Sequence, residues 1–240
     1  MRTIVISQPT YLPWSGYFRI MKEADVYVFL DNVQFEQRSW QSRNRIKSGE
    51  QFIWLSIPTH HENQSRINDV EIDNSKAWKR QHLNAMQISY GKSPFFKNYC
   101  SFFKSFYESK WTELALLNIH LIKHFASQLG LSPVFVRASK LEMEGIRTSL
   151  LLDICKMFGA DRYVSSIGAK EYMEADGAKS IFEKEGIKVE FLEVKPFKYP
   201  QLFGEFIPEL SVIDLLFNCG PDSSKILFDK GEAIFCGLDK

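Results

Sequence analysis

The 240-residue sequence lacks the short motifs that identify several large enzyme classes. It contains no glycine-rich dinucleotide fingerprint, no P-loop, and no Gly-x-Ser-x-Gly elbow of the kind that carries a hydrolase serine. These absences argue against hydride transfer, against kinase-type phosphoryl transfer and against serine-hydrolase chemistry. No motif in the sequence identifies a cofactor, so the cofactor is unknown at this point.

Cysteine is scarce, and the four cysteines form no Cys-x-x-Cys pair. Because no secretory signal is visible at the N-terminus, we expect a cytoplasmic protein with reduced thiols. No apolar run approaches the roughly 20 residues of a transmembrane helix, so we expect no membrane partner. An excess of charge of one sign is lacking too, because the formal net charge of +1 gives no general attraction to nucleic acid.

Aromatic residues are abundant by contrast, with twenty phenylalanines among them. This number exceeds the need of a small core and suits a sizeable groove, a surface for homo-oligomer formation, or both. No internal repeat, low-complexity tract or linker interrupts the sequence. We therefore expect one α/β domain over residues 1–240.

The N-terminal stretch, residues 3–44, joins two apolar runs through loops that are rich in polar and aromatic residues. Residues 4–6 predict a short buried strand that ends at Gln8 and Pro9, because proline cannot donate a hydrogen bond to a sheet. A helix with apolar residues at helical spacing follows, and residues 26–30 predict a second strand. These elements predict a short β-loop-α-β unit with a right-handed crossover.

Polar and aromatic side chains follow both predicted strands at the edge where open α/β sheets bind their ligands. Asp31 comes just past the second strand, and the loop after the first strand opens on the same edge. We expect the polar and aromatic residues of these loops to line one substrate crevice. They are Gln8, Tyr11, Trp14, Tyr17, Asp31, Gln34, Arg43 and Asn44. The alternative is structural, with Trp14 and Tyr17 capping a core and Asp31 capping a turn.

Residues 34–49 form a polar segment in which basic side chains, among them Arg43, Arg45 and Lys47, are interleaved with aromatic ones. Arginine supplies planar, bidentate donors for phosphate or carboxylate, so this segment is the best anion site in the sequence. The alternative is a solvated charged loop. Residues 52–57 then predict a third buried strand.

Residues 74–130 predict a helical insertion between the third and fourth strands, either a lid over the crevice or an interface with another subunit. Its first helix places Trp78, His82, Met86 and Tyr90 four residues apart. These side chains therefore share one face of the helix.

Histidines at two places invite a metal interpretation, but we predict no metal site. His60 and His61 stand beside Glu62, yet no further ligands recur at a supporting spacing. His120 and His124 are one helical turn apart, and they border the apolar stripe of their helix.

The C-terminal half alternates strands with helices. Residues 133–138, 163–166 and 187–194 predict strands, and residues 147–158 predict a helix. This alternation predicts a Rossmann-like, mostly parallel sheet with an inserted helical block and a site at the carboxyl ends of its strands.

Four polar residues in this half are further candidates for substrate binding. Ser165 and Ser166 lie in a small turn that either presents hydroxyl and N–H groups to a phosphate or only connects two elements. Gln201 follows the last predicted strand. Asp214 lies in an otherwise apolar helix, where a buried carboxylate binds a ligand, caps the helix or forms a salt bridge.

Several stretches of the chain resemble a known family. QPTYLPWSGYF, VFLDNVQF and RSWQSRNRI are similar to the signature of the WbqC-like family, named for a protein encoded among O-antigen biosynthesis genes. The likeness continues through FIWLSIP, the spacing of Trp78, His82 and Tyr90, YVSS, and YPQLFGEFIPELSVIDLLFNCG. The resemblance implies a role in making bacterial surface polysaccharide, and it specifies no reaction.

A more distant similarity concerns the nucleotidyltransferases and the pantothenate-synthetase-like ligases. Their loop after the first strand carries a His-x-Gly-His motif that binds the phosphates of ATP. Trp14, Ser15, Gly16 and Tyr17 stand at the matching place, so both histidines are missing. The similarity therefore implies an architecture and not the phosphate chemistry.

Our leading functional hypothesis is a transferase that modifies a nucleotide-linked sugar, by acyl or aminoacyl transfer to a sugar amine. Arg43 and Lys47 then hold a diphosphate, Tyr11 and Trp14 stack on a ring, and the general base is one of two residues. These two candidate catalytic residues are Asp31 and His82. The alternatives are a non-catalytic protein that binds a sugar precursor or a partner enzyme, and adenylyl transfer by a degenerate nucleotidyltransferase.

Overall fold

The computed structural model describes residues 1–143 and 145–238. The strands are β1 (Thr3–Ser7), β2 (Val26–Phe29), β3 (Arg43–Ser48), β4 (Gln51–Ser56), β5 (Thr59–His60), β6 (Glu71–Ile72), β7 (Val134–Arg137), β8 (Arg162–Ser166), β9 (Lys188–Val194) and β10 (Ala233–Gly237). The helices are α1 (Ser15–Met21), α2 (Trp78–Tyr90), α3 (Phe96–Glu108), α4 (Leu114–Gln128), α5 (Arg147–Met157), α6 (Lys170–Ala175), α7 (Ala178–Lys184), α8 (Val212–Cys219) and α9 (Ser223–Lys230).

A six-stranded sheet with the order β10-β9-β8-β1-β2-β7 forms the centre. Its neighbouring strands are parallel except for β10, which runs antiparallel to β9. The chain builds the sheet outward from β1 through β2 to β7, and then returns to add β8, β9 and β10 on the other side of β1. The strand order therefore reverses between β1 and β8, as in doubly wound sheets. The predicted Rossmann-like, mostly parallel sheet is confirmed.

Both faces of the central strands are buried, which explains why these strands are almost wholly apolar. On one face, Val5, Tyr27 and Phe29 belong to the core that the helical block α2–α4 and α8 cover. On the other face, Ile4 and Val28 belong to a second core with α5 and α7. Successive residues of a strand point to opposite faces, so one short run of apolar residues supplies both cores.

A strand forms at the predicted third position, as β4, but its predicted burial is wrong for most of its residues. β4 pairs with β3 in a separate antiparallel hairpin, and Phe52 and Trp54 are exposed. The tight turn between the strands contains Gly49, whose φ of 62° suits glycine. The polar segment at residues 34–49, for which we predict no strand, therefore contains β3.

The helical block α2–α4 lies within residues 74–130, between β6 and β7. The face of α2 that carries Trp78, His82, Met86 and Tyr90 is buried, as its four-residue spacing predicts. The short pieces α9 and β10 were not predicted, because apolar runs of this length have no distinctive period. Among the described residues, no helix combines the length and the apolar character that crossing a bilayer requires.

Candidate functional site

The loop between β1 and α1 is held in place by side-chain amides from distant parts of the chain. The Asn118 amide donates to the carbonyl oxygens of Pro9 at 3.1 Å and Gln41 at 2.8 Å, and the Asn44 amide donates to that of Leu12 at 2.7 Å. Leu12 has a φ of 44°, a left-handed conformation that an ordinary residue keeps only when its surroundings enforce it. The loop is therefore fixed before any ligand arrives.

A cleft of about 290 Å³ opens beside this loop. Its walls come from the β1–α1 loop, the β3–β4 hairpin and the segment before α8, and its lining residues are Thr10, Pro13, Trp14, Tyr17, Trp40, Asn44, Arg45 and Glu209. The Tyr17 hydroxyl donates to the carbonyl oxygen of Gln8, just past the end of β1, at 3.1 Å. The cleft therefore adjoins the carboxyl end of β1, beside the point where the strand order reverses, which is the usual position of a ligand site in such sheets.

Trp14 forms part of the cleft wall because the residue two positions later is glycine. A Cβ atom on Gly16 would lie 2.2 Å from the indole ring of Trp14. The ring therefore packs directly against the backbone of α1. The main chain just before Trp14 is joined to the start of α8, since the Val212 N–H donates to the carbonyl oxygen of Pro13 at 2.7 Å.

Arg45 brings a positive charge to the cleft. Its guanidinium carbon lies 5.5 Å from the ring centroid of Trp40 and 5.1 Å from that of Phe52. One terminal nitrogen lies 3.9 Å from the carboxylate of Glu209. The Nε atom is buried and has no hydrogen-bond partner among the described residues. Aromatic rings thus hold the guanidinium in place while part of its donor capacity stays unused.

His82 lies behind the loop and not in the cleft lining. Its Nδ1 is 2.8 Å from the hydroxyl of Tyr11, which lies 2.5 Å from that of Tyr107. Burial lowers the pKa of His82 to about 4, although a hydrogen bond with the Ser56 backbone acts in the opposite direction. The imidazole is therefore neutral near pH 7, and in this arrangement it anchors Tyr11 and hence the loop.

Acidification is expected to destabilise the fold through His82. The pKa falls from 6.5 in the unfolded chain to about 4 in the folded one, so the unfolded chain binds the proton first. This stability is complete above pH 6.5 and is lost as the pH falls through about 4, and the shift corresponds to about 3 kcal/mol. Chemical denaturation across this range will show the slope, and His82→Gln will reduce it.

The matched control for this slope is His61→Gln, because His61 is exposed. His124, whose pKa burial also lowers to about 4, keeps its own contribution in every variant. An unchanged slope in His82→Gln would contradict the expectation, whatever its absolute stability.

Asp31 is fully buried at the carboxyl end of β2, and β7 supplies its main partner. Its carboxylate accepts hydrogen bonds from Arg137 Nε, the Ser139 backbone N–H and the Ser139 hydroxyl, each at 2.8 Å. It therefore fastens the ends of two neighbouring strands. It does not line the cleft.

Asp214 belongs to a second buried polar network. Its carboxylate accepts hydrogen bonds from the Tyr90 hydroxyl at 2.9 Å and the Gln201 amide at 2.8 Å. Burial raises its pKa, against the hydrogen bonds from Tyr199, Tyr90 and Gln201. The Lys47 ammonium donates to Gln201 Oε1 at 3.3 Å. Hydrogen bonds thus pair the buried polar groups of Lys47, Gln201 and Asp214. The Ser211 side chain caps the N-terminus of α8.

The sequence of this chain is similar to known sequences over most of its length. The sequence profile of the WbqC-like protein family matches residues 8–226. The chain belongs to the WbqC-like protein family. It is also 29% identical over 231 residues, 95% of this chain and 98% of the relative, to a protein of Mycobacterium tuberculosis (strain ATCC 25618 / H37Rv) named "Uncharacterized protein Rv1507c". No solved structure matches the chain.

In this WbqC-like protein, three of the predicted substrate-binding residues line the cleft: Trp14, Tyr17 and Asn44. Gln8 lies near it and accepts a hydrogen bond from the Gln41 amide at 2.8 Å. Arg43 lies on the same hairpin, with its guanidinium 4.2 Å from the ring centroid of Trp54.

The other predicted residues lie outside the cleft lining. Ser165 is buried and Ser166 is exposed at the end of β8, which neighbours β1 in the sheet. Gln34 is exposed and pairs through its backbone with Arg66. Within the described residues, no group of three or more His, Cys, Asp or Glu side chains is placed to hold a metal ion.

Sequence reasoning did not single out five residues that line the cleft, although Arg45 lies in the predicted anion site; they are Thr10, Pro13, Trp40, Arg45 and Glu209. A signal for Arg45 was present, because Arg43, Arg45 and Lys47 alternate with Asn44 and Ile46 as residues of a strand do. Glu209 has no such signal, since it lies 164 residues further along the chain than Arg45.

Proposed function

We propose that this WbqC-like protein is a transferase that modifies a nucleotide-linked sugar in the synthesis of bacterial surface polysaccharide. The observation that carries the proposal is Arg45, whose guanidinium is held by aromatic rings and lines a cleft beside β1. A nucleotide-linked sugar offers flat rings to Trp14 and Trp40 and a diphosphate to the guanidinium.

The family resemblance supports the biosynthetic setting, because the family takes its name from a protein encoded among O-antigen genes. The transferred group in this proposal is an acyl or aminoacyl group, and the acceptor is a sugar amine. As the new amide bond forms, the amine loses one proton and the donor releases its carrier. Glu209 accepts that proton, because it is the carboxylate among the described residues that line the cleft.

Binding to Arg45 gives a direct test. UDP-N-acetylglucosamine and dTDP-glucose are titrated into the protein by isothermal calorimetry, and at least one is expected to bind. Arg45→Met is expected to weaken that binding by about tenfold or more, because a charge-assisted hydrogen bond to phosphate contributes roughly 1.5–3 kcal/mol.

Arg80→Met is the control for Arg45→Met. Arg80 is exposed on α2 and does not line the cleft, so its loss is expected to leave affinity unchanged. If neither nucleotide sugar binds, the proposal is overturned, and equal affinity in Arg45→Met and the wild type would overturn it too.

A non-catalytic binding protein is the second candidate, and one observation favours it. Among the described residues that line the cleft, the titratable side chains are Tyr17, Arg45 and Glu209, and burial raises the pKa of Tyr17. Glu209 is thus the one ordinary proton acceptor there, whereas a binding module needs none. Glu209→Gln separates the two: an enzyme loses turnover and keeps its affinity, and a binding protein changes only in affinity.

A further inference from the structure

The solvent face of the β3–β4 hairpin exposes large aromatic side chains. Trp40, Phe52 and Trp54 are 48%, 41% and 41% exposed. The ring centroids of Trp40 and Trp54 are 5.5 Å apart, and those of Phe52 and Trp54 are 6.2 Å apart. We call these three rings, together with Arg43 and Arg45, the hairpin face. A contiguous exposed apolar patch of this kind marks a binding surface more often than a chance arrangement.

The same face presents two cations. The Arg43 guanidinium lies 4.2 Å from the ring centroid of Trp54, and that of Arg45 lies 5.9 Å from it. The Nε atoms of both arginines are buried and have no hydrogen-bond partner among the described residues. An arginine stacked on a ring keeps its planar fork in one orientation, which suits bidentate recognition of a carboxylate or phosphate.

We infer that the hairpin face is a subsite for a sugar that carries a carboxylate or a phosphate. The aromatic rings receive the apolar face of the sugar ring, and the Arg43 guanidinium receives the anion while Arg45 holds the diphosphate of the proposed substrate. The inference deepens the proposed function and rests on it for the link to the cleft. Trp40 and Arg45 belong to both surfaces, so the subsite continues directly from the cleft.

The size of the cleft supports this extension. Its volume of about 290 Å³ is at the lower limit of sites that enclose a drug-sized ligand, about 300 Å³. A nucleotide-linked sugar therefore projects beyond the cleft. The hairpin face is the neighbouring surface with exposed rings and two guanidinium groups.

A second copy of the chain is a less suitable occupant of the hairpin face. In a symmetric dimer the same patch meets itself, so the arginines of one copy would approach those of the other. Like charges at an interface oppose association. An anionic sugar, in contrast, complements both the charge and the flat rings.

The test uses D-glucuronic acid and glucose 1-phosphate as probes, with glucose and inorganic phosphate as controls. Binding is followed by tryptophan fluorescence and by saturation-transfer NMR on the intact protein. At least one acidic sugar is expected to bind at least tenfold more tightly than glucose or phosphate alone. Trp54→Ala is expected to weaken that binding by about tenfold, in line with the loss of a stacking ring.

Phe235→Ala is the matched control. Phe235 is 40% exposed and lies 4.9 Å below the guanidinium of Arg162, but it is on β10 at the far edge of the sheet. Its loss is expected to leave sugar binding unchanged. Circular dichroism and thermal unfolding confirm that both variants are folded.

Three results would overturn the inference. These are the absence of binding by both acidic sugars, equal affinity for inorganic phosphate alone, and unchanged affinity in Trp54→Ala. Self-association that Trp54→Ala abolishes, with no sugar bound, would identify a second copy as the occupant instead. If nucleotide sugars still bind through Arg45 in any of these cases, the proposed function stands while the subsite fails.

Discussion

Replacing Asp31 with alanine is expected to lower the free energy of unfolding by about 3–5 kcal/mol. The carboxylate is fully buried and accepts three hydrogen bonds, one from Arg137 and two from Ser139. Its removal leaves a guanidinium and two other donors without their partner, and at the same time opens a cavity at the carboxyl ends of β2 and β7. Urea denaturation followed by circular dichroism measures the change.

Two variants calibrate the result for Asp31. Ser139→Ala removes one of the three hydrogen bonds and is expected to cost about 1 kcal/mol. Asp229→Ala removes an exposed carboxylate on α9, and its effect is expected to stay within about 0.5 kcal/mol. A loss below about 1 kcal/mol in Asp31→Ala would show that the network does not hold the strand ends.

The same position also carries the sequence-based prediction of a general base. Asp31→Asn keeps the shape of the side chain, so a folded variant can be assayed for turnover and for affinity separately. Loss of turnover at unchanged affinity supports the catalytic role, and losses that follow stability support the structural one.

Replacing Asp214 with alanine is expected to have an effect of similar size, about 3–5 kcal/mol. The Tyr90 hydroxyl and the Gln201 amide both donate to this buried carboxylate. Lys47, which is also buried, loses a nearby negative charge. The unfolding transition in urea will shift to lower concentration.

The damage from Asp214→Ala is expected to reach the segment that follows β9. Gln201 binds Ile207 through both ends of its amide, at 2.9 Å each, and so closes the loop between them. Hydrogen exchange at Ile207 is therefore expected to accelerate more than exchange in the central strand β1. Equal acceleration at both places would show that Asp214 stabilises only the molecule as a whole. Asp214→Asn, which keeps the volume, is expected to lose less stability than the alanine variant.

Local patterns were sufficient for the main sheet. The runs around Ile4 and Val28 are short and wholly apolar, which is typical of strands buried on both faces of a parallel sheet. Residues 187–194 instead alternate apolar and charged side chains, which is also a strand pattern. Their alternation with helical segments then leaves few topologies, since parallel neighbours need crossover connections. The Rossmann-like class follows from these local facts.

Local patterns were insufficient for the hairpin. FIWLSI has the composition of a buried strand, but its pairing with β3 leaves Phe52 and Trp54 in solvent. The sequence of a short apolar run does not determine which strand it pairs with. That pairing decides which face of the strand is covered by the rest of the protein.

The amino-acid sequence by itself thus determined the parallel strands of the main sheet, the buried face of α2 and the stretch around Trp14 that builds the cleft. The tertiary structure alone decided which polar side chains remain available. Asp31, His82 and Lys47 find partners far away in the sequence, Arg137, Tyr11 and Gln201, which satisfy them in the interior. Arg45 meets aromatic rings and keeps an unused donor. The reason is physical: a buried polar group must be paired, and long-range packing chooses the partner.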